Sequence, residues 1–88
     1  MYVAGVDSRY KYPYASERLL TVEELKNFSK KDLKIMRNEI FARYGYIFKT
    51  EDMKKQFPGG YMNDVTAFLS EIETANINLI KKAEANAK

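Results

Sequence analysis

The sequence predicts a mostly α-helical single domain, in which about four helices form a small bundle behind an extended, tyrosine-rich N-terminal lead. Three observations support this fold class. The chain has 88 residues, enough for one compact core. Apolar residues recur at helical spacing in two long segments, and glycine or proline separates these segments from their neighbours. Residues 1–18 form the predicted lead, which packs on a helical domain at residues 19–88.

The lead is predicted to be extended because several of its residues discourage helix: Gly5, Asp7, Ser8 and Pro13. Tyr10, Tyr12 and Tyr14 alternate with the period of a β-strand, so their rings would lie on one side of a ribbon. Proline lacks a backbone donor, and Pro13 therefore allows only an edge strand or an irregular ribbon.

Two capping patterns predict the first two helices. Thr21 and Glu24 have the spacing of a capping box, and they precede a short helix predicted at residues 22–27. Ser29, followed three residues later by an aspartate, repeats this pattern less ideally before a longer helix at residues 30–44. The pattern therefore places two helix starts within about ten residues of one another.

Glycine and proline mark the remaining boundaries. Gly45 can end the second helix in the left-handed backbone conformation that glycine tolerates. Thr50 caps a third helix, whose first turn holds acids and whose last turn holds lysines, an order that suits the helix dipole. Pro58-Gly59-Gly60 stops this helix, and a long C-terminal helix is predicted to begin between Asp64 and Ser70.

Composition excludes several kinds of site. The sequence contains no cysteine and no histidine, so it offers neither a thiol nucleophile nor the usual zinc ligands, and we expect no cofactor. Its formal net charge of +3 is too small to indicate a nucleic-acid partner by itself. No segment approaches the ~18 apolar residues that a membrane-spanning helix needs.

Polar residues interrupt both long apolar stripes. The stripe of the second helix consists of Leu33, Met36, Ile40 and Tyr44, and Arg37 lies within it. The stripe of the C-terminal helix consists of Leu69, Ile72, Ile80 and Ala83, and it includes Glu73 and Asn76. We predict an ion pair between Arg37 and Glu73 that joins the two helices, with Asn76 or Asn38 completing the hydrogen bonds. The alternative is that this pair lines a binding cleft.

The segment Arg37-Asn38-Glu39-Ile40-Phe41-Ala42-Arg43-Tyr44-Gly45-Tyr46-Ile47-Phe48-Lys49-Thr50 resembles the signature of the YARHG domain family. The Tyr-Ala-Arg-His-Gly run that names the family appears here as Phe41-Ala42-Arg43-Tyr44-Gly45. The resemblance extends over most of the chain after residue 13. It implies an extracellular bacterial domain of the kind often attached to peptidases or other envelope-associated modules, with no established molecular role.

Two positions depart from the family pattern. Tyr44 stands where the signature has histidine, and Gly60-Tyr61 stands where members usually have Trp-Tyr. A tyrosine with a pKa near 10 cannot replace a histidine as an acid or base near neutral pH. We therefore expect Phe41, Arg43 and Tyr44 to be core and helix-end residues, and we weigh this against a ligand site at the same positions.

Catalysis and nucleic-acid binding both fit the residues poorly. The paired acids fall in the first turns of predicted helices or in the proposed network between helices, so no catalytic constellation is assembled and we expect no enzyme. A nucleic-acid-binding helical domain is the less favoured alternative, because Glu51 and Asp52 would begin the recognition helix and would repel phosphate.

An interaction domain is the function class that remains. We expect a non-catalytic accessory domain of a bacterial envelope or secreted protein, binding a cell-wall polymer or an envelope protein. Tyr10, Tyr12 and Tyr14 are the predicted ligand contacts, and the alternative is that their rings pack against the domain. A spacer that orients a neighbouring domain is the alternative function. Asp7 follows the apolar start too soon for an intact signal peptide, so we expect either a soluble protein or a fragment of a longer precursor. We favour the fragment, because an envelope protein would need a signal or anchor outside these residues.

Overall fold

The computed structural model describes residues 10–87, and this range contains four α-helices and two 3₁₀ helices. The α-helices are α1 (Val22–Leu25), α2 (Lys30–Ala42), α3 (Glu51–Gln56) and α4 (Glu71–Asn86). The 3₁₀ helices are Pro13–Ser16 and Thr66–Phe68. The predicted mostly helical fold is confirmed. Residues 1–9 of the predicted lead lie outside the described residues.

Capping side chains set the starts of α1 and α2. The Thr21 hydroxyl accepts the Glu24 amide at 3.2 Å, and the Glu24 carboxylate accepts the Thr21 amide at 2.7 Å, which confirms the predicted capping box. The Ser29 hydroxyl accepts the amide of Asp32 at 3.1 Å. Helix α2 ends two residues earlier than predicted, and Gly45 closes the following turn with φ +82°.

The remaining two helices begin close to their predicted positions. Thr50 precedes α3, but its side chain accepts no amide of the first turn. The Asp52 carboxylate accepts the Met53 amide at 2.9 Å instead. Ser70 precedes α4 and forms a second capping box with Glu73, which was not among the predicted capping patterns.

The main core lies between α2 and α4. Leu33, Met36 and Ile40 from α2 pack with Ile77 and Ile80 from α4, and all five side chains are buried. A smaller cluster at the other side of α2 contains Ile35, Phe48, Met53 and Phe57. The two apolar faces that the sequence predicted thus cover each other, while α3 packs on the far side of α2.

The predicted extended ribbon at the lead is wrong in the part that the structure describes. Pro13 begins a 3₁₀ helix, because its ring fixes φ near the value that this helix needs and its missing amide is not required there. Tyr12 contacts Tyr14 edge to face, with ring centroids 6.2 Å apart, whereas Tyr10 stacks on Phe57 at 6.1 Å. The three rings therefore do not form one row.

A short backbone bridge holds the segment after α3 beside the end of α2. The Ile47 amide donates to the Met62 carbonyl at 2.9 Å, and the amides of Tyr61 and Met62 both donate to the Gly45 carbonyl. Gly60 lies so close to the backbone of Tyr46 that an added Cβ would collide with it. This contact fixes the position of residues 61–66, which form one wall of the site described next.

Candidate functional site

Four polar side chains are buried among residues 10–87, and they belong to Asn38, Glu39, Glu73 and Asn76. A buried polar group is costly unless it has a hydrogen-bond partner. The partners of these four side chains therefore indicate which residues serve the fold and which have unused binding capacity.

Glu39 binds the backbone of the N-terminal segment. One carboxylate oxygen accepts the Lys11 amide at 2.9 Å and the other accepts the Tyr12 amide at 2.7 Å. Burial raises the pKa of Glu39 above its usual value, although these two amides and the nearby charge of Arg43 oppose the shift. Glu39 thus holds residues 11 and 12 against α2.

Asn76 binds the next part of the same segment from α4. Its side-chain oxygen accepts the Leu20 amide at 2.9 Å, and its side-chain nitrogen donates to the carbonyls of Ala15 at 2.7 Å and Arg18 at 2.8 Å. The side chain is only 1% exposed. Every polar contact of Asn76 is to backbone, so its role is to fix the path of residues 15–20.

Glu73 joins the start of α4 to the end of α2. Its carboxylate accepts the Ser70 amide at 2.9 Å and the Tyr44 hydroxyl at 2.6 Å. Burial alone would raise the pKa of Glu73, but these hydrogen bonds outweigh it and the pKa is lowered. The same hydrogen bond, together with burial, raises the pKa of Tyr44 to about 12. The tyrosine at the family's histidine position is therefore a neutral hydrogen-bond donor.

The predicted ion pair between Arg37 and Glu73 is wrong. Arg37 pairs instead with Glu84, through a contact of 2.6 Å from Nε and one of 3.1 Å from Nη2. The hydrogen bond from Tyr44 to Glu73 places the C-terminal end of α2 beside the N-terminal end of α4, so the two helices run antiparallel. At 1.5 Å per residue, Glu73 lies about 16 Å along α4 from Glu84, beyond the reach of Arg37. The predicted roles of Asn76 and Asn38 in that pair fail with it.

Asn38 differs from the other buried polar residues. The residue is 8% exposed, and the hydrogen bonds of the described residues include none to its amide group. It lines a cavity of about 400 Å³ between α2 and the segment after α3. The other lining residues are Arg37, Phe41, Tyr46, Asn63, Asp64, Val65 and Thr66.

The walls of this cavity, here called the Asn38 cavity, combine rings with polar groups. Phe41 and Tyr46 contribute rings whose centroids are 5.8 Å apart. Asp64 accepts both the hydroxyl and the amide of Thr66, and these bonds lower its pKa, so the carboxylate is ionised at neutral pH. Asn38 supplies two N–H donors and one acceptor that no described residue uses.

Arg43 occupies a different environment at the end of α2. Its Nε and Nη2 atoms are buried without a hydrogen-bond partner, and its guanidinium lies 5.3 Å from the ring centroid of Tyr10. It borders two smaller pockets of about 200 and 220 Å³, both of which Tyr61 also lines. The attraction between the cation and the ring partly offsets its burial.

The rings predicted as ligand contacts face the protein. Tyr12 and Tyr14 pack against the main core, and Tyr12 also meets Phe28 edge to face at 5.7 Å. Tyr10 packs against the smaller cluster. A ligand contact at these rings stays a prediction, but the exposed row on which it depended is absent from residues 10–14.

Sequence reasoning missed the Asn38 cavity and the role of Glu84. Asn38 was predicted only to complete the hydrogen bonds of an ion pair. An amide side chain on the buried face of a helix, however, indicates either a hydrogen bond to backbone or a site that a ligand or water can fill. No sequence pattern could reveal the opposite wall, because Asn63 and Thr66 reach it only through the bridge at Tyr46.

Residues 10–87 contain neither a metal-binding cluster nor a membrane-spanning helix. No group of three or more acidic residues there is arranged to hold a metal ion. No helix in this part of the chain is both long enough and apolar enough to cross a bilayer.

The fold is that of a small, mostly α-helical domain. The chain belongs to the YARHG domain family, whose model matches residues 8–85. This is a family of small domains associated with extracellular proteins. Comparison with curated proteins gave no match, and comparison with solved structures gave none either.

Proposed function

We propose that this chain is a non-catalytic accessory domain of an extracellular or envelope-associated protein, and that it binds a polar ligand in the Asn38 cavity. The observation that carries the proposal is the nearly buried amide of Asn38, which no described residue hydrogen-bonds and which borders the cavity. The amide atoms of Asn38 are not among the fully buried polar atoms, so water reaches them at the cavity, and a ligand can replace that water with its own hydrogen bonds.

The size of the cavity supports the same proposal. Its volume of about 400 Å³ falls within the range of roughly 300–1,000 Å³ that small-ligand sites occupy. Such sites combine apolar walls with a few convergent polar groups, as Phe41, Tyr46 and Asn38 do here. Both sides of the cavity are held in place. The close contact of Gly60 with the Tyr46 backbone and the bridge between Tyr46 and Met62 position residues 63–66, and α2 forms the opposite side.

A non-catalytic role fits the chemistry of the remaining titratable groups. Glu39 and Glu73 each accept two hydrogen bonds that hold the fold, and neither carboxylate lines the Asn38 cavity. The Tyr44 hydroxyl donates to Glu73 and has a pKa of about 12. The sequence offers no histidine or cysteine in their place.

The proposal is tested by an amide NMR titration with soluble cell-wall fragments, and a DNA duplex serves as the control. We expect shifts at the Asn38 side-chain amide and at Tyr46 with wall fragments alone. Asn38→Leu should abolish the shift at Tyr46, while Asn78→Leu, at an exposed asparagine of α4, should leave both shifts unchanged. Shifts confined to other surfaces, shifts with DNA alone, or none with either would overturn the proposal, and the last result would favour a spacer.

A further inference from the structure

We infer that the Asn38 cavity recognises the acetamido group of a neutral N-acetylated sugar. This inference rests on the proposed function and names the chemical class of the ligand. A primary amide side chain presents a donor and an acceptor side by side, and the N–H and C=O of an acetamido group can pair with both. Asn38 is suited to this because its donors and its acceptor are unused by the described residues.

Charge around the cavity favours a neutral ligand over an acidic one. Arg37 is the cation on its lining, and its Nε and Nη2 already bind the Glu84 carboxylate. Asp64 adds a negative charge at the opposite wall, and the hydrogen bonds from Thr66 lower its pKa. A phosphate or a sugar acid would therefore meet a repelling carboxylate and a cation that is already paired.

The other walls match the rest of a sugar ring. Phe41 and Tyr46 offer aromatic surface to the C–H face of a pyranose, whose hydrogens are attracted by the electron-rich ring faces. One oxygen of Asp64, Oδ1, accepts both bonds from Thr66, whereas Oδ2 takes part in neither. A carboxylate oxygen and the side chain of Asn63 can accept and donate hydrogen bonds to ring hydroxyls.

A peptide shares the amide chemistry but uses less of the cavity. Peptide backbone supplies an N–H and a C=O to Asn38, yet it brings no group of hydroxyls for the wall formed by Asn63 and Asp64. The sugar therefore accounts for more of the observed walls than the peptide does.

Three probes test the inference by NMR with the intact chain: N-acetylglucosamine, glucose and the neutral dipeptide analogue N-acetylalanine methylamide. We expect N-acetylglucosamine to shift the Asn38 side-chain amide with a Kd on the order of 1 mM, as a ligand of about 15 heavy atoms should. Glucose lacks the acetamido group and should bind about tenfold more weakly or worse.

Variants separate recognition from folding. Asn38→Leu should weaken N-acetylglucosamine binding by about tenfold or more, whereas Asn78→Leu should not, with thermal melts showing that both proteins fold. Asn38→Asp retains the size of the side chain but loses its donors, and it should bind as weakly as Asn38→Leu.

The outcomes distinguish this inference from the proposed function. Equal binding of glucose and N-acetylglucosamine, or preference for the dipeptide analogue, would overturn the acetamido-sugar assignment. If wall fragments bind at the Asn38 cavity while the sugar does not, the ligand class is wrong and the proposed function stands. If neither binds there, both fail.

Discussion

Asn38 and Asn76 are both nearly removed from solvent, at 8% and 1% exposure, yet their surroundings differ completely. Asn76 makes three hydrogen bonds to the backbone of the N-terminal segment. Asn38 makes none with the described residues and borders a cavity of about 400 Å³. The same residue type, on two helices that pack together, thus serves the fold in one place and leaves binding capacity in the other.

The contrast also holds between neighbours on α2. Glu39 follows Asn38 directly, and successive helical residues point about 100° apart. Glu39 consequently faces the N-terminal segment and binds it, whereas Asn38 faces the Asn38 cavity. One side of α2 is therefore expected to control stability, and the other to control ligand binding.

The largest expected effect belongs to Asn76→Leu. The substitution keeps the volume of the side chain but leaves the Leu20 amide and the carbonyls of Ala15 and Arg18 without their partner. We expect a loss of about 3–5 kcal/mol in the free energy of unfolding, since each orphaned group costs roughly 1–3 kcal/mol. Urea denaturation measures this value.

The control for that experiment is Asn78→Leu, since Asn78 is exposed on the same helix. A change of more than about 0.5 kcal/mol there would attribute the effect to a substitution on α4 in general. A loss under about 1 kcal/mol in Asn76→Leu would mean that the three hydrogen bonds do not hold the segment.

A smaller loss is expected from Tyr44→Phe. This change removes one of the donors to the buried Glu73 carboxylate and leaves the Ser70 amide in place. Hydrogen bonds to charged groups contribute about 1.5–3 kcal/mol, so we expect destabilisation in that range at neutral pH. Tyr46→Phe is a matched control, because the Tyr46 hydroxyl makes no hydrogen bond among the described residues.

The two buried carboxylates predict opposite pH dependence. The lowered pKa of Glu73 gives stability that is present above its unfolded value of 4.5 and is lost as pH falls through the folded pKa. The loss of stability in Tyr44→Phe should therefore become smaller in acid.

The raised pKa of Glu39 gives stability that is complete below pH 4.5 and is lost as pH rises. The loss of stability in Glu39→Gln should therefore become smaller towards neutral pH. Urea denaturation across pH 3–7 compares them, and a slope of the wrong sign for either variant would contradict the assignment for that carboxylate.

The coupling energy between Arg37 and its partner distinguishes the observed ion pair from the predicted one. Arg37 and Glu84 are partly buried, with side chains 22% and 14% exposed, so their coupling should exceed that of a surface pair and reach about 1–2 kcal/mol. A double-mutant cycle of Arg37→Leu with Glu84→Leu measures it. The cycle of Arg37→Leu with Glu73→Leu should be additive within about 0.5 kcal/mol, and coupling there would restore the predicted pair.

The smallest expected effect on stability is that of Asn38→Leu. The amide has no described partner to lose, and an apolar group at a nearly buried position gains free energy, so the change should stay within about 1 kcal/mol in either direction. Thermal denaturation of the Asn38→Leu and Asn76→Leu variants under the same conditions compares their stabilities directly. A large loss in Asn38→Leu would show that Asn38 serves the fold as Asn76 does.

Local sequence chemistry predicted most of the fold. Thr21, Ser29 and Gly45 act within a few residues of themselves, so capping patterns and backbone preference were sufficient to locate the starts of α1 and α2, while both helices end two residues earlier than predicted. The two apolar stripes likewise predicted the pairing of α2 with α4. The lead failed because Pro13 fits a 3₁₀ start as well as an edge strand, and packing against the core decided between them.

The candidate site was less predictable because it depends on register. Periodicity shows that Arg37 and Glu73 face the other helix, but it does not show how far the two helices slide along each other. That offset pairs Arg37 with Glu84 and gives Glu73 to Tyr44. The Asn38 cavity needs a further long-range contact, the bridge between Tyr46 and Met62.

The contacts of Glu39 and Asn76 with the N-terminal segment have a consequence for how this domain can vary. Together they bind five backbone groups, the amides of Lys11, Tyr12 and Leu20 and the carbonyls of Ala15 and Arg18. Every amino acid carries a carbonyl, and all but proline carry an amide. The exposed side chains of this segment can therefore vary while the chain keeps its path, whereas its core side chains Ala15 and Leu20 are constrained by packing. Replacing Glu39 or Asn76 would remove the contacts that hold that path.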